Sequence, residues 1–66
     1  MNIGKVIKSL RVEKNLTQLQ LAKEIEVSQK AIDYWERAVN EPKATYIVKL
    51  AVFFNVSSDY LLGLEK

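Results

Sequence analysis

A chain of 66 residues with no Cys and no His has length for one small domain, and it excludes disulfide staples and the usual zinc sites. Its net charge of +2 is too small for bulk electrostatics to carry binding to nucleic acid, and the positive end is the first helix, where Lys5, Lys8, Arg11 and Lys14 face only Glu13. No apolar run approaches the roughly 20 residues that cross a bilayer, and the start lacks the order of regions of a signal peptide, so a soluble, cytoplasmic protein is expected.

No strand-like alternation persists, and the punctuation fits five helices in a single domain over 1–66. The first spans about 3–14, where Ile3, Ile7 and Leu10 make one apolar stripe. Asn15 suits a left-handed stop, and Leu16 follows as an apolar tether. The second spans about 17–25. Thr17 and Gln20 have the spacing of a capping box, and Leu21, Ala22 and Ile25 form the buried face. After Glu26 and Val27, Ser28 caps a third helix over 28–37 in which Ile32 and Trp35 point inward. A loop with Asn40, Glu41 and Pro42 leads to a fourth helix over 44–54, which Asn55 can stop. Ser57 or Ser58 caps a short fifth helix over 58–62, and Gly63 ends it.

Two short helices joined by about three residues cross steeply, which is the helix-turn-helix arrangement. The second of such a pair presents its N-terminal half outward, where it fits the major groove. The outward residues here are Gln29, Lys30, Asp33, Tyr34 and Arg37. Gln29 has the groups to bond an adenine edge, and Lys30 those to meet guanine acceptors. Tyr34 can touch a thymine methyl or a phosphate. Asp33 can accept from cytosine, or it can orient Lys30 or Arg37. Arg37 can bind phosphate or cap a helix end. Gln18, in the first turn of the second helix, is placed for a phosphate.

The run Leu10-Arg11, Leu16-Thr17-Gln18, Leu21-Ala22, Ile25, Val27-Ser28, Ile32, Trp35-Glu36-Arg37 and Pro42, in that order and spacing, resembles the lambda-repressor-like helix-turn-helix family, also called the Cro or XRE type. Leu50-Ala51, Phe54-Asn55-Val56-Ser57 and Tyr60-Leu61-Leu62 resemble its closing helices. The resemblance covers the chain from about Ile3 to Leu62. It implies an all-α, compact five-helix DNA-binding domain with the helix-turn-helix formed by helices two and three. It also implies DNA contacts from Gln18, Ser28, Gln29, Lys30, Asp33 and Tyr34. Asn40 and Lys43 match loop positions that touch phosphate or reach toward the minor groove. Arg11 and Glu36 match a structural ion pair between the first and third helices. Two positions depart from the family. Glu26 stands where Gly is usual between helices two and three, and Ala38 stands where Gly often follows Glu-Arg. A side chain at Glu26 implies left-handed strain of roughly 1 kcal/mol, or else a locally different turn.

The fourth helix is apolar most of the way round. Ile47, Leu50, Ala51 and Phe54 suffice as an inward stripe, leaving Val48, Val52 and Phe53 with Tyr46 nearby. Part of this surface, Val52, Phe53, Val56 and Tyr60, is expected to form a homodimer interface. The alternative is a thicker monomer core with a few exposed apolar residues.

The expected function is a transcriptional regulator, a repressor that binds a two-fold double-stranded operator as a homodimer. The rival is an antitoxin-like or other protein-binding module that also binds DNA, in which helix four meets a different protein. Only Gly63 to Lys66 follow the last helix, which leaves little for a toxin. An enzyme is not expected: there is no His or Cys, no phosphate loop, and Glu36 has a ready partner in Arg11. No cofactor, metal, small-molecule ligand or membrane partner is indicated. The length leaves no effector domain, so any inducing signal is expected from outside the chain.

Overall fold

The computed structural model describes residues 2–64, within which five α-helices follow one another: α1 (Ile3–Glu13), α2 (Gln18–Ile25), α3 (Gln29–Glu36), α4 (Ala44–Phe54) and α5 (Ser58–Leu61). Their inward faces are the apolar stripes of the sequence. Ile3 and Ile7 from α1, Leu21, Ala22 and Ile25 from α2, Ile32 and Trp35 from α3, Leu50, Ala51 and Phe54 from α4 and Leu61 from α5 form one buried cluster. α3 packs on both α1 and α2, while α4 packs on α2 and α5.

Every helix stops in the same way. Asn15, Glu26, Ala38, Asn55 and Gly63 have φ of 57°, 62°, 60°, 56° and 74°. The residue after each returns its N–H to a carbonyl five positions back: Leu16 to Arg11 at 3.1 Å, Val27 to Ala22 at 2.9 Å, Val39 to Tyr34 at 2.9 Å, Val56 to Ala51 at 3.0 Å and Leu64 to Asp59 at 2.8 Å. This is the Schellman closure, and it satisfies carbonyls that a helix end leaves open. In three places the closing residue is followed at once by the next N-cap. Thr17 Oγ1 accepts from the Gln20 N–H at 3.1 Å while Gln20 Oε1 accepts from the Thr17 N–H at 2.8 Å, completing the capping box. Ser28 Oγ accepts from Ala31 N–H at 3.1 Å, and Ser57 Oγ, rather than that of Ser58, accepts from Tyr60 N–H at 3.0 Å. Thr17 and Ser28 therefore stand just outside their helices as caps. Glu26 keeps the left-handed turn despite its side chain, so the helix-turn-helix geometry is retained.

Gly4 has a role that periodicity did not reveal. It is buried in the first turn of α1, where a Cβ would collide with the carbonyl oxygen of Trp35 and lie 3.2 Å from Glu36 Cα. Its lack of a side chain lets the backbones of α1 and α3 touch. Trp35 itself is buried, and its ring meets that of Tyr46 at 5.6 Å between centroids. Tyr46 is therefore half-buried, with its ring against Trp35 of the core.

Two substitutions test this account by urea unfolding. Gly4→Ala is expected to destabilise by about 1–3 kcal/mol through overpacking, against the gain of up to about 1 kcal/mol that Ala gives in an unconstrained helix; a gain would sink the close-approach argument. Ala38→Gly is expected to stabilise by about 1 kcal/mol, because the strain of a left-handed Ala exceeds the extra chain entropy of Gly.

Candidate nucleic-acid interface

The site begins with what fixes α3. The Arg11 guanidinium, on α1, donates Nε to Glu36 Oε2 at 2.7 Å and Nη2 to Glu36 Oε1 at 3.0 Å, and Nη1 to the Leu16 carbonyl at 2.8 Å. The fork-on-fork geometry suits a buried pair. The Arg11 and Glu36 side chains are only 13% and 3% exposed. The hydrogen bond to Glu36 raises the guanidinium pKa above its ordinary value, burial pulls against this, and the Glu36 charge adds to the rise.

Glu36 Oε1 also accepts from Gln18 Nε2 at 3.1 Å, and the same nitrogen donates to Asp33 Oδ1 at 3.3 Å. Asp33 Oδ2 in turn accepts from Arg37 Nε at 3.0 Å and lies 2.9 Å from its Nη2. The start of α2 is thus tied to the last turns of α3 by a chain of polar groups running Arg11, Glu36, Gln18, Asp33, Arg37. Among the described residues no buried side-chain nitrogen or oxygen is left without a partner.

This frame holds one face of α3 outward. Gln29 and Lys30 occupy its first turn and are exposed, next to the capping Ser28. Tyr34 is half-buried, and its ring has Lys30 Nζ at 5.3 Å and Arg37 Cζ at 5.6 Å from its centroid. Two cations therefore share one aromatic ring. Across from it lies the loop before α4, with Asn40 and Lys43 exposed. Between them runs an open groove of about 670 Å³ bordered by Ser28, Lys30, Tyr34, Asn40, Lys43 and Tyr46, among others. Gln18 on α2 is thus joined to Asp33 and Arg37 on α3, Arg37 and Lys30 meet on Tyr34, and Ser28, Lys30, Tyr34, Asn40 and Lys43 border the groove, with Gln29 exposed beside Lys30 in the first turn of α3. The Glu26 carboxylate is 3.8 Å from Lys49 Nζ and fully in solvent at 82% exposure. Sequence reasoning missed the bonds from Gln18 to Asp33 and Glu36, which no local spacing announces. The pairs Lys30 with Tyr34 and Asp33 with Arg37, each four residues apart on one helix, carried a readable signal.

The four residues grouped on the outer surface of α4 and α5 separate. Val52 is 76% exposed and Tyr60 43%, with Val48 beside Val52 at 57%. Phe53 and Val56 are partly buried against the core, and the Phe53 ring meets that of Phe54 edge-on at 5.0 Å. Tyr46 and part of Phe53 thus pack against the core, and Val48 and Val52 stay outside it.

Among the described residues no group of His, Cys, Asp or Glu could hold a metal ion, and no helix is long and apolar enough to cross a membrane.

Residues 7–61 match the model of the helix-turn-helix family. The chain is 32% identical over 66 residues to the HTH-type transcriptional regulator ImmR of Bacillus subtilis, covering 100% of this chain and 52% of that protein. It is 38% identical over 66 residues to the HTH-type transcriptional activator BcrR of Enterococcus faecalis, covering 100% of this chain and 32% of the relative. The chain therefore spans about half of one relative's length and a third of the other's. Its fold superposes on the P22 c2 repressor, solved in complex with a synthetic operator, with a TM-score of 0.91, 32% identity and 98% of each chain covered. This fold is non-enzymatic.

Arg11→Met is expected to cost about 3–5 kcal/mol, because the sealed Glu36 charge loses its partner, read as a lower urea midpoint at pH 7. A raised guanidinium pKa in the folded state means that the pair's contribution is complete below the ordinary guanidinium range and is lost only as pH rises through the folded value. The difference between wild type and variant is therefore expected to hold across neutral and mildly alkaline pH; a difference that vanished there would contradict it.

Proposed function

The chain belongs to the helix-turn-helix family of DNA-binding transcriptional regulators, and from that premise we propose that it is a repressor which binds a two-fold operator as a homodimer. One observation carries the reading. The first turn of α3 projects Gln29 and Lys30 into solvent, on a helix whose orientation is fixed by a sealed ion pair and a chain of hydrogen bonds. A groove reader needs such a rigid platform, because base edges are told apart by bonds that tolerate little misplacement.

In this reading Gln29 bonds an adenine edge and Lys30 meets guanine acceptors, while Ser28 and Tyr34 flank them. Gln18, Arg37, Asn40 and Lys43 grip phosphates, and Asp33 lies among them. Helical geometry leaves the first amides of α2 without intrahelical acceptors, which favours a phosphate beside Gln18. Pairing of two copies through Val52, Phe53, Val56 and Tyr60 would set two α3 helices on half-sites roughly 34 Å apart. The exposed valine strip supports that interface. Repression, by occluding a promoter, is favoured over activation. The likeness to the P22 c2 repressor, with a TM-score of 0.91 at 32% identity, supports that choice. Such a regulator works in the cytoplasm.

The test is selection from a random duplex library at about 150 mM salt, followed by sequencing of the bound pool. Two related half-sites centred about 10 base pairs apart are expected. A pool without a motif, held only at low salt, would mean nonspecific attraction. On the enriched site, Gln29→Ala and Lys30→Ala are each expected to lose roughly 1–3 kcal/mol and to relax preference at particular bases. Gln18→Ala should weaken all sequences more evenly. Sedimentation that finds only monomer, free and on the operator, would remove the homodimer.

A further inference from the structure

The Asp33 carboxylate sits where a phosphate binder would be expected to avoid one. It lies on the outward side of α3, 36% exposed, between Gln18 and Arg37, which are the two phosphate-gripping candidates on that edge. Its bonds reach both. Oδ1 accepts from Gln18 Nε2, and Oδ2 holds Arg37 through Nε at 3.0 Å and Nη2 at 2.9 Å. The second proton of Gln18 Nε2 goes to Glu36 Oε1 at 3.1 Å. Both amide protons of Gln18 and two of the guanidinium's donors are thus spent within the protein. The other carboxylate of this network, Glu36, is already matched by Arg11 and sealed from solvent. Asp33 alone in the network is both accessible to solvent and bonded to donors that could otherwise meet DNA.

We propose that Asp33 is a positioning residue that withholds Arg37 from DNA phosphates, and so suppresses binding to duplex of arbitrary sequence relative to binding at the operator. The inference rests on the DNA-binding reading above and assigns Asp33 a role other than accepting a hydrogen bond from cytosine. The physics is a competition. A phosphate approaching Arg37 must displace an ion pair already formed, and it meets the Asp33 charge as it does so. On arbitrary DNA, where phosphate contacts supply most of the affinity, that cost is uncompensated. On the operator, contacts from Gln29 and Lys30 hold the helix in place for long enough of the bound lifetime that the exchange of partners is offset.

The experiment measures affinity for one enriched duplex and one scrambled duplex across a salt series, for wild type, Asp33→Asn, Arg37→Ala and the double variant. Asparagine keeps the size and one acceptor oxygen but removes the charge, and circular dichroism checks the fold. Asp33→Asn is expected to bind scrambled duplex roughly five- to tenfold more tightly near 150 mM salt, with a salt slope steeper by about one, the signature of one additional phosphate contact. The ratio of enriched to scrambled affinity falls, and the order of base preferences is unchanged. Adding Arg37→Ala abolishes the gain and the steeper slope. A selective loss at the enriched site, with relaxed preference at one base pair, would make Asp33 a base reader and overturn the proposal. Unchanged scrambled affinity would overturn it too, as would a gain that survives Arg37→Ala, since that reports only the lost negative charge. Failure of the underlying reading shows itself separately, as wild type that enriches no motif at all.

Discussion

The Arg11 guanidinium is the point on which the geometry of the reading helix turns. It joins three elements with one rigid group: α1, which carries it, the Leu16 carbonyl between α1 and α2, and Glu36 at the end of α3. A hydrophobic contact at this place would hold the helices together but would add less directional constraint to that already set by the buried Ile32 and Trp35. A bidentate ion pair has one good geometry. Since Glu36 also receives Gln18, the register of α2 against α3 follows from the same anchor. Gly4 supplies the complementary constraint: the backbones of α1 and α3 meet without a side chain between them, so the distance across which Arg11 must reach is set by contact.

The helix ends solve a second problem with a repeated device. Asn15-Leu16-Thr17, Glu26-Val27-Ser28 and Asn55-Val56-Ser57 are each a left-handed residue, an apolar residue closing back on the helix and a hydroxyl capping the next helix. Three residues thus turn the chain into the next helix while pairing part of the backbone groups that the two helix ends leave open. The middle instance is the turn before α3, so the direction of the reading helix is set by a local motif as well as by packing. Glu26 is the costly member, since it adopts φ 62° where Gly or Asn carries less strain. Lys49 lies 3.8 Å from its carboxylate, but the carboxylate is largely in water and such a contact is weak.

Local chemistry is why so much of this fold was legible in the sequence. The capping box, the two asparagine stops and the apolar stripes depend on residues within a turn or two of each other, and spacing reports them directly. Gly4 was silent because its meaning lies in Trp35, far along the chain. The partners of Gln18 were silent for the same reason. The apolar surplus of α4 could be read, but its division could not. Which of Tyr46, Phe53 and Val52 turns inward depends on where α2 and α3 stand, and only the assembled core shows Tyr46 against Trp35 and Val52 in solvent. On α3 the outward face was readable as a set, from Gln29 to Arg37. What each residue does there was not, because Asp33 bonds across to another helix.

That division bears on how a chain of net charge +2 can select a DNA sequence. A strongly basic protein binds any duplex and must then discriminate among sites against a high background. Here the cations at the reading face are few and several have a protein partner: Arg37 lies in the Asp33 pair and Lys30 and Arg37 flank Tyr34, while Arg11 behind them is sealed on Glu36. Partnered cations cost more to transfer to phosphate than free ones, so the long-range attraction is small and more of the affinity must come from short-range, directional contacts. Those contacts are worth having only if α3 is held rigidly, which returns the requirement to the ion pair between α1 and α3. Low net charge, internal pairing and a fixed helix therefore form one consistent arrangement for reading sequence rather than for holding DNA in general.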